Sequence, residues 1–519
     1  MTESHVVPAT NRWVVAISVM FATFMEVLDT TVVNVSLPHI AGSLSATIDE
    51  STWALTSYLV ANAVVLPLTG WLANHFGRKR LLMASIAGFT VSSLLCGLAP
   101  NLMALVAFRI IQGLTGGALQ PLSQAVLLEA FPPHERGKAM GFWGLGVVVA
   151  PILGPVLGGW LTDSYSWRWV FYINLPVGAI SLLMVRRYVF DPSYIRRSTQ
   201  GVDYTGIALL VVGIGALQYV LDKGQEDDWF ESRTIAVLAI SSAVALTWFV
   251  VNELRDRHPV VNLRILAQRT FGTGVFLMTT LGFVLFGSLV LLPIMLQTLL
   301  GYPSLQAGIA MAPRGLGALI MMPIVGAITG RVDPRKLVGC GLIIGATTLY
   351  WLGSLNLQAG YWEIFWPQLI QGFGMSLLFV PLTTISMSQI PREQMGNATS
   401  IFNLMRNLGG SMGIAAAATL LARTQQTHFH VLGAHIDAFD PAVQQRMEHL
   451  RSLFIASGAD VVTAGQRAYA AMFGLVQRQA TMQAFVDVFR LFAGVFLLVL
   501  PLVFAMKRPS KHAGPTTAH

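Results

Sequence analysis

The stretch that decides the fold is residues 24–38, which read FMEVLDTTVVNVSLP. They lie in the first long apolar run and carry two carboxylates, Glu26 and Asp29. The two residues are three positions apart, so they share one face of a helix. Because an ionised Asp at a bilayer centre costs about 2.5–3.5 kcal/mol on insertion scales, we interpret the pair as a proton-handling centre within a membrane-spanning helix.

Composition places the whole chain in a membrane. Of its 519 residues, 54% are hydrophobic and 11% are charged, whereas soluble domains average about 25% charged residues. The first apolar run lacks a small-residue cleavage site and is predicted to be a retained span. Cys96 and Cys340 fall in apolar runs in opposite halves and are predicted to be packing residues, with no disulfide framework or metal site.

The sequence predicts an all-α polytopic membrane protein with fourteen transmembrane helices, each needing about 20 apolar residues. The predicted spans are 13–36, 52–74, 81–98, 102–128, 138–161, 168–187, 202–221, 234–252, 271–297, 305–329, 336–355, 363–388, 396–422 and 483–506.

The distribution of charge predicts the orientation. Positive residues follow spans 2, 6, 8, 10 and 14, namely Arg78, Lys79, Arg80, Arg186, Arg187, Arg196, Arg197, Arg255, Arg257, Arg264, Arg269, Arg331, Arg335, Lys336, Lys507, Arg508 and Lys511. By the positive-inside rule these loops and both termini are cytoplasmic. The net charge of +8 therefore reflects membrane topology, and no nucleic-acid partner is expected.

The chain also repeats itself. GWLANHFGRKRL at 70–81 matches GAITGRVDPRKL at 326–337, and RIIQG at 109–113 matches QLIQG at 368–372. Parallel repeats place the substrate site at their interface near mid-membrane. We predict an N-terminal six-helix bundle at 1–190, a linker with two additional helices at 191–268, bundle helices 9–13 at 269–424, an extracytoplasmic helical loop at 425–482, and helix 14 with a cytoplasmic tail at 483–519.

Two further stretches contain residues that are unusual in a membrane-spanning helix. Arg109 shares a helical face with Gln112, and an arginine inside a span needs a carboxylate or a wet cavity. Asp29 and Glu26 are its candidate partners. In GVVVAPILGPVLGG at 146–159, a small residue recurs every fourth position and permits close helix packing, while prolines bend the helix.

These motifs resemble the major facilitator superfamily, and more closely its fourteen-helix drug:proton antiporter branch, the EmrB-like multidrug exporters. The resemblance implies that Asp29 couples protons, with Glu26 less regular in the family pattern, and that Arg109 takes part in proton transfer. The alternative for each of these three charged residues is a static structural role.

The resemblance also implies a gating or antiporter role for two motifs. The family usually carries an Asp at the position of Asn74, so an ionic latch there is expected to be weakened, and the cations of that loop are equally well explained by topology. The residues concerned are Gly70, Asn74, Gly77, Arg78, Arg80, Gly146, Pro151, Gly154, Pro155, Gly158 and Gly159.

Other polar or soft residues within spans are candidates for a substrate cavity, although each is also a candidate for helix–helix contact. They are Asn34, Asn62, Gln112, Gln120, Gln124, Gln297, Arg314, Gln371, Met375, Asn403 and Arg406. The spans that hold Arg314 and Arg406 contain no carboxylate. These two cations either attract anionic substrate groups or bind backbone carbonyls at helix breaks.

The sequence therefore predicts a secondary exporter driven by the proton gradient, without cofactor or metal, rather than an enzyme. No P-loop is present, and the histidines between 428 and 449 lack firm metal spacing. The resemblance implies lipophilic drugs and toxic compounds as substrates, the bacterial inner membrane, and a tripartite system with a periplasmic membrane-fusion adaptor and an outer-membrane channel. The alternatives are an exporter of one endogenous metabolite or siderophore, and a non-transporting membrane sensor or scaffold.

Overall fold

The computed structural model describes residues 11–191, 203–256, 259–437 and 439–507, which form helices and no strand. The predicted cations at 196–197, 257 and 508–511 lie outside these residues. The N-terminal half comprises α1 Arg12–Ser43, α2 Ile48–Ser51, α3 Trp53–Phe76, α4 Arg78–Gly97, α5 Leu102–Gly116, α6 Leu119–Ala130, α7 Arg136–Ser164, α8 Trp169–Tyr172 and α9 Asn174–Tyr188.

Two inserted helices precede the C-terminal half. The inserted pair is α10 Tyr204–Lys223 and α11 Arg233–Arg255, with the 3-10 turns η1 Trp229–Glu231 and η2 Leu263–Ala267. The C-terminal half comprises α12 Arg269–Thr298, α13 Ser304–Ile328, α14 Pro334–Leu352, α15 Tyr361–Ser386, η3 Arg392–Gln394, α16 Met395–Ala434, α17 Pro441–Ala456, α18 Val461–Val499 and η4 Leu500–Ala505.

The helices are long and apolar enough for a multi-pass membrane protein. Among the described residues, 11 segments meet the length and hydropathy needed to cross a membrane, and α7, bent by 41° between Pro151 and Val156, raises the number to 12. The two remaining predicted spans correspond to α14 and α16, which are less apolar but pack inside the C-terminal half. The predicted all-helical fold is therefore confirmed.

Local chemistry explains where several helices begin. Asn101 caps α5, because its side chain accepts a hydrogen bond from the backbone N–H of Ala104 at 2.9 Å. Asp460 caps α18 in the same way, accepting from Val462 and Thr463 at 3.0 and 3.1 Å. Such a cap satisfies backbone donors that a helix start leaves without partners.

The predicted spans and the observed helices differ in two respects. The predicted spans 102–128 and 168–187 correspond to single membrane-crossing segments, Leu102–Ala130 and Trp169–Tyr188, but each segment is divided into two helices, at residues 117–118 and at Ile173. The predicted loop at 425–482 is mostly continuous with its neighbours, since α16 runs on to Ala434 and α18 begins at Val461, with α17 between them. Hydropathy ends a span where polar residues begin, whereas the helix itself continues.

The bundle has two distinct ends. We call the end where α1 begins the basic end, because it holds Arg78, Lys79 and Arg335. The opposite end, from which α16, α17 and α18 extend, is the protruding end. The two halves pack tightly at the basic end: a Cβ on Gly137 of α7 would lie 2.9 Å from the Gly326 carbonyl oxygen of α13.

Helix α10 of the inserted pair packs against both halves at once. Lys223 Nζ donates to Thr52 Oγ1 next to α3 at 2.8 Å. Gln218 Nε2 donates to Ser411 Oγ of α16, also at 2.8 Å. The inserted pair therefore covers the seam between α3 and α16.

Candidate functional site

The position of Asp29 is set by close packing between α1 and α7. A Cβ added to Gly154 would lie 2.6 Å from Thr31 Cβ, and one added to Gly158 would lie 3.0 Å from the Val32 carbonyl oxygen. The contact at Gly154 is closer than Cβ atoms tolerate and the contact at Gly158 is tight, so glycine at these positions permits the close approach. The small-residue stripe of α7 thus lies directly on the helix that carries Asp29.

Asp29 forms a buried ion pair with Arg109 of α5. Arg109 Nη1 lies 2.5 Å from Asp29 Oδ2, and both side chains are 0% exposed. The other carboxylate oxygen accepts from Gln112 Nε2 at 3.0 Å and from Asn174 Nδ2 at 2.7 Å. The ionised carboxylate is thereby stabilised by one cation and two neutral donors drawn from α5 and α9.

The guanidinium of Arg109 is held equally firmly. Its Nε donates to the Ala54 carbonyl oxygen at 2.8 Å and its Nη1 donates to Gln112 Oε1 at 2.8 Å. Its central carbon lies 4.2 Å from the centroid of the Tyr58 ring, a cation–π distance. Loss of the Asp29 charge would leave a buried cation without its counter-ion, so protonation of Asp29 has direct consequences for α5 and α3.

Glu26 has different partners from Asp29, although the two share a helix face. Glu26 Oε1 accepts from Asn62 Nδ2 at 3.0 Å, while Oε2 is buried without a hydrogen-bond partner in the described part of the chain. Its electrostatic partner from the C-terminal half is Arg406. Arg109 therefore pairs with one of the two candidate carboxylates, and Glu26 lies closer to the contact between halves.

Several residues predicted to line a cavity instead join α6 to α16. Arg406 Nη2 donates to Gln120 Oε1, and Asn403 Nδ2 donates to Gln124 Oε1 at 2.6 Å. Thr399 Oγ1 adds a hydrogen bond to the Pro121 carbonyl oxygen at 3.0 Å. These buried contacts cross from one half to the other, which is the helix–helix alternative given for these four side chains, and whether they also meet substrate stays a prediction.

The remaining cavity candidates are scattered. Asn34 of α1 and Gln297 of α12 are exposed, and Met375 of α15 is half-buried. Arg314 and Gln371 are buried, and both neighbour Gln368, whose Oε1 accepts from Arg314 Nε at 3.0 Å. These residues do not form one cluster with Asp29.

The loop between α3 and α4 contains a buried ionic contact that its sequence did not suggest. Gly77 has a φ of +90°, which suits glycine, and the next residue, Arg78, pairs with Glu129 of α6. Arg78 Nη2 also donates to the Arg392 carbonyl oxygen of the other half at 3.3 Å. Asn74 is half-buried and Arg80 is exposed, so the buried ionic contact of this loop is made by Arg78.

The predicted antiporter motif divides into packed and open positions. A Cβ on Gly146 would lie 2.9 Å from Met20 Cγ, whereas a Cβ on Gly159 would meet nothing within 4 Å. Pro151 is half-buried, and the side chain of Pro155 lies outside the described part of the structure. Gly159 is therefore not part of the α1–α7 contact.

The sequence did not identify three residues: two that contact the Asp29–Arg109 pair and one that pairs with Arg78. Asn174 and Tyr58 contact the ion pair directly, and Glu129 holds Arg78. Asn174 belongs to a stretch after span 5 that also resembles the fourteen-helix branch, but that resemblance gave it no role, and Glu129 lies at the end of α6, where a charged residue is common. Neither pattern differs from ordinary helix residues until the neighbouring helices are in place.

Comparisons with known proteins agree with this architecture. The family model described as Major Facilitator Superfamily matches residues 19–414. The Fatty acid resistance protein FarB of Neisseria gonorrhoeae is 39% identical over 513 residues, which cover 98% of each chain. The Multidrug export protein EmrB of Haemophilus influenzae is 40% identical over 95% of each chain, and that of Escherichia coli is 38% identical over 96% of this chain and 95% of the other.

Solved structures of low sequence identity share the fold. The human organic anion transporter MFSD10 superposes with a TM-score of 0.61 at 16% identity, covering 95% of this chain and 99% of the other. The proton:xylose symporter XylE gives 0.55 at 15% identity, covering 90% and 94%. The extent of these matches, with the observed helices, shows that the chain belongs to the major facilitator superfamily, among its EmrB-like multidrug exporters.

Proposed function

We propose that the protein is a proton-coupled exporter of amphipathic toxic compounds, with Asp29 as the carboxylate that binds the transported proton. The observation that carries the proposal is the Asp29–Arg109 pair, completely buried and surrounded by donors from two further side chains. The relatives named multidrug export protein and fatty acid resistance protein support lipophilic, chemically varied substrates.

The proposed cycle uses the ion pair as a switch. When Asp29 is protonated, the attraction that holds Arg109 Nη1 is lost, and Arg109 keeps its contacts with Gln112, Ala54, Tyr58 and Phe171. Because α1 and α5 belong to the same half, this change alters their packing and favours one orientation of the two halves. Deprotonation restores the pair and resets the carrier.

The basic end is proposed to face the cytoplasm of a bacterial inner membrane, with both termini on that side. In this arrangement the segments 1–190 and 269–424, completed by 483–519, are the two moving units, and 191–268 is the inserted linker. The tight contacts between the halves at the basic end, such as Gly137 with Gly326, then close the cytoplasmic side of the central pathway.

The protruding end is the proposed contact for a periplasmic adaptor of the membrane-fusion class, which would in turn join an outer-membrane channel. Segment 425–482 supplies the ends of α16 and α18 together with α17. Exposed apolar side chains such as Tyr469 and Phe473, 72% and 57% exposed, offer a surface for such a partner.

The test is proton-linked efflux in reconstituted vesicles, comparing the wild type with Asp29→Asn and Glu26→Gln. We expect the imposed proton gradient to drive substrate accumulation in the wild type and not in Asp29→Asn, while Glu26→Gln retains coupling. Gradient-driven transport that is unchanged in Asp29→Asn would exclude Asp29 as the coupling group.

A further inference from the structure

The two halves use one framework for two different charge arrangements. The repeat aligns Gly113 with Gly372, and the structure gives both glycines the same contact. A Cβ on Gly113 would lie 2.5 Å from the carbonyl oxygen of Tyr58, and a Cβ on Gly372 would meet the carbonyl oxygen of Arg314. Arg314 of α13 therefore occupies the place in the C-terminal half that Tyr58 of α3 occupies in the N-terminal half.

The arginine lies on the second of the two contacting helices in the N-terminal half and on the first in the C-terminal half. In the N-terminal half, the arginine is on α5 and lies over Tyr58 of α3. In the C-terminal half, the repeat position of Arg109 is Gln368, which accepts a hydrogen bond from Arg314 Nε at 3.0 Å. Gln368 Nε2 in turn donates to Gln371 Oε1 at 3.4 Å, which continues the polar chain along α15.

Among the described residues, no carboxylate of the C-terminal half is paired with Arg314. Helices α12, α13, α14 and α16 contain no Asp or Glu. Glu363, the single carboxylate of α15, accepts from the backbone N–H of Gly360 at the start of that helix, and Asp487 of α18 pairs with His428. Arg314 is 6% exposed, and neither its Nη1 nor its Nη2 has a hydrogen-bond partner among the described residues. A buried charge in this condition is strongly unfavourable unless an anion reaches it.

Arg406, the other buried arginine of this half, is differently placed. Its Nη2 donates to Gln120 and Asn407, and Glu26 provides an opposite charge from the facing half. The chain thus neutralises Arg109 with Asp29 and supplies Glu26 near Arg406. Arg314 is the buried arginine whose terminal donors remain free in the described part of the C-terminal half.

We propose that Arg314 binds the carboxylate headgroup of exported substrates, an inference that rests on the proposed export function and narrows its substrate class to include singly anionic amphiphiles. The Nη1 and Nη2 groups form a planar fork that matches the two oxygens of a carboxylate. Gln371 lies on the same helix face, one turn before the half-buried Met375. Met375 provides a soft, adaptable contact for an apolar tail.

The experiment compares two probes of equal tail length and opposite charge, decanoate and decyltrimethylammonium. Their binding to the full-length protein is measured in nanodiscs of phosphatidylcholine, for the wild type, Arg314→Gln, Arg314→Lys and the control Arg331→Gln, which removes an exposed cation just beyond α13. A hydrogen-bonded charge contact is worth about 1.5–3 kcal/mol, so Arg314→Gln should raise the decanoate Kd about 10- to 100-fold. Decyltrimethylammonium binding should be unchanged, and Arg331→Gln should resemble the wild type.

Arg314→Lys separates a binding role from a purely structural one. It retains the charge and loses the fork, so decanoate should bind with an affinity between those of the wild type and Arg314→Gln. If Arg314→Gln does not fold, as judged by thermal melting, Arg314→Lys alone decides the question. Decanoate affinity that is unchanged in the folded variant, or equal losses for both probes, would overturn the proposal.

Two further experiments identify what binds at Arg314 and distinguish failure of this proposal from failure of the proposed export function. Nanodiscs that contain phosphatidylglycerol test whether an anionic lipid headgroup competes with decanoate. Substrate binding at Arg314 would be overturned if decanoate bound more weakly in phosphatidylglycerol than in phosphatidylcholine while Arg314→Gln had no effect on decanoate binding in either lipid. In vesicles, gradient-driven transport of decyltrimethylammonium but not of decanoate would overturn the Arg314 proposal and leave the exporter function intact. Transport of neither probe would overturn the proposed function itself.

Discussion

Arg109 Nη1 and Asp29 Oδ2 are 2.5 Å apart between α5 and α1, in a site where both side chains are fully buried. Each group is the counter-charge of the other, and removal of one leaves the other in a low-dielectric interior. Removal of one partner of a buried pair costs about 3–5 kcal/mol. The ion pair is therefore a structural element as well as the proposed switch.

The pair should consequently show a strong coupling energy in stability measurements. We expect Asp29→Ala and Arg109→Gln each to lower the free energy of unfolding by about 3–5 kcal/mol, and the double variant to be less destabilised than the sum of the two. Thermal melting of the purified protein in detergent gives the four corners of the cycle. Additive losses would show that the two charges do not depend on one another.

The α1–α7 contact provides a matched pair of glycine substitutions. A Cβ on Gly158 would lie 3.0 Å from the Val32 carbonyl oxygen, so the branched side chain of Gly158→Val would push against that backbone, whereas a Cβ on Gly159 would meet nothing within 4 Å. We expect Gly158→Val to reduce transport strongly and lower the melting temperature, because overpacking typically costs about 1–3 kcal/mol. Gly159→Val is the control, and an equal defect in both variants would contradict the proposed role of the packed face.

The contact at the basic end should limit access to the pathway from that side. Arg78 joins Glu129 and the Arg392 carbonyl oxygen of the opposite half. In Arg78→Gln we expect a cysteine introduced at the buried Asn397 to react faster with a water-soluble thiol reagent, because the halves separate more often. Arg80→Gln, which changes an exposed neighbour, should leave the rate unchanged. Equal rates in all three backgrounds would indicate that Arg78 only stabilises its own half.

The protruding end should be needed for assembly and not for transport. Replacing residues 436–459, which contain α17, with a short Gly/Ser linker should abolish co-purification with a membrane-fusion adaptor. Proton-linked transport in vesicles should persist, because the replacement ends at residue 459 and so keeps Asp460, which caps α18. Adaptor binding retained by this variant would place the contact on another surface.

The sequence predicted the ion pair because charged residues within its apolar segments are scarce. With Asp29, Glu26 and Arg109 in the first four spans, few pairings are possible, and the structure selects Asp29 for Arg109. The repeat and the hydropathy likewise predicted the helical fold. The stripe on α7 predicted a close contact but not that its partner would be α1.

The contacts between halves were beyond reach of the sequence. Gln120 and Gln124 meet Arg406 and Asn403 only once the register of α6 against α16 is fixed. A side-chain amide in a membrane span predicts that a polar residue lies next to it, but the sequence does not show which residue that is. The extension of α16 to Ala434 was missed for another reason: hydropathy detects the membrane, and a helix that leaves the membrane continues without an apolar signal.

Helix α10 has a consequence for how compounds dissolved in the bilayer reach the interior. Because Gln218 and Lys223 fasten it to α16 and to the start of α3, the groove between those helices is shielded from lipid. Two facing bundles would offer two lateral openings to the bilayer, and α10 blocks one of them. We expect lipophilic compounds to arrive on the opposite flank, beside the bent α7 and the proline-containing α13, so that uptake from the bilayer is one-sided.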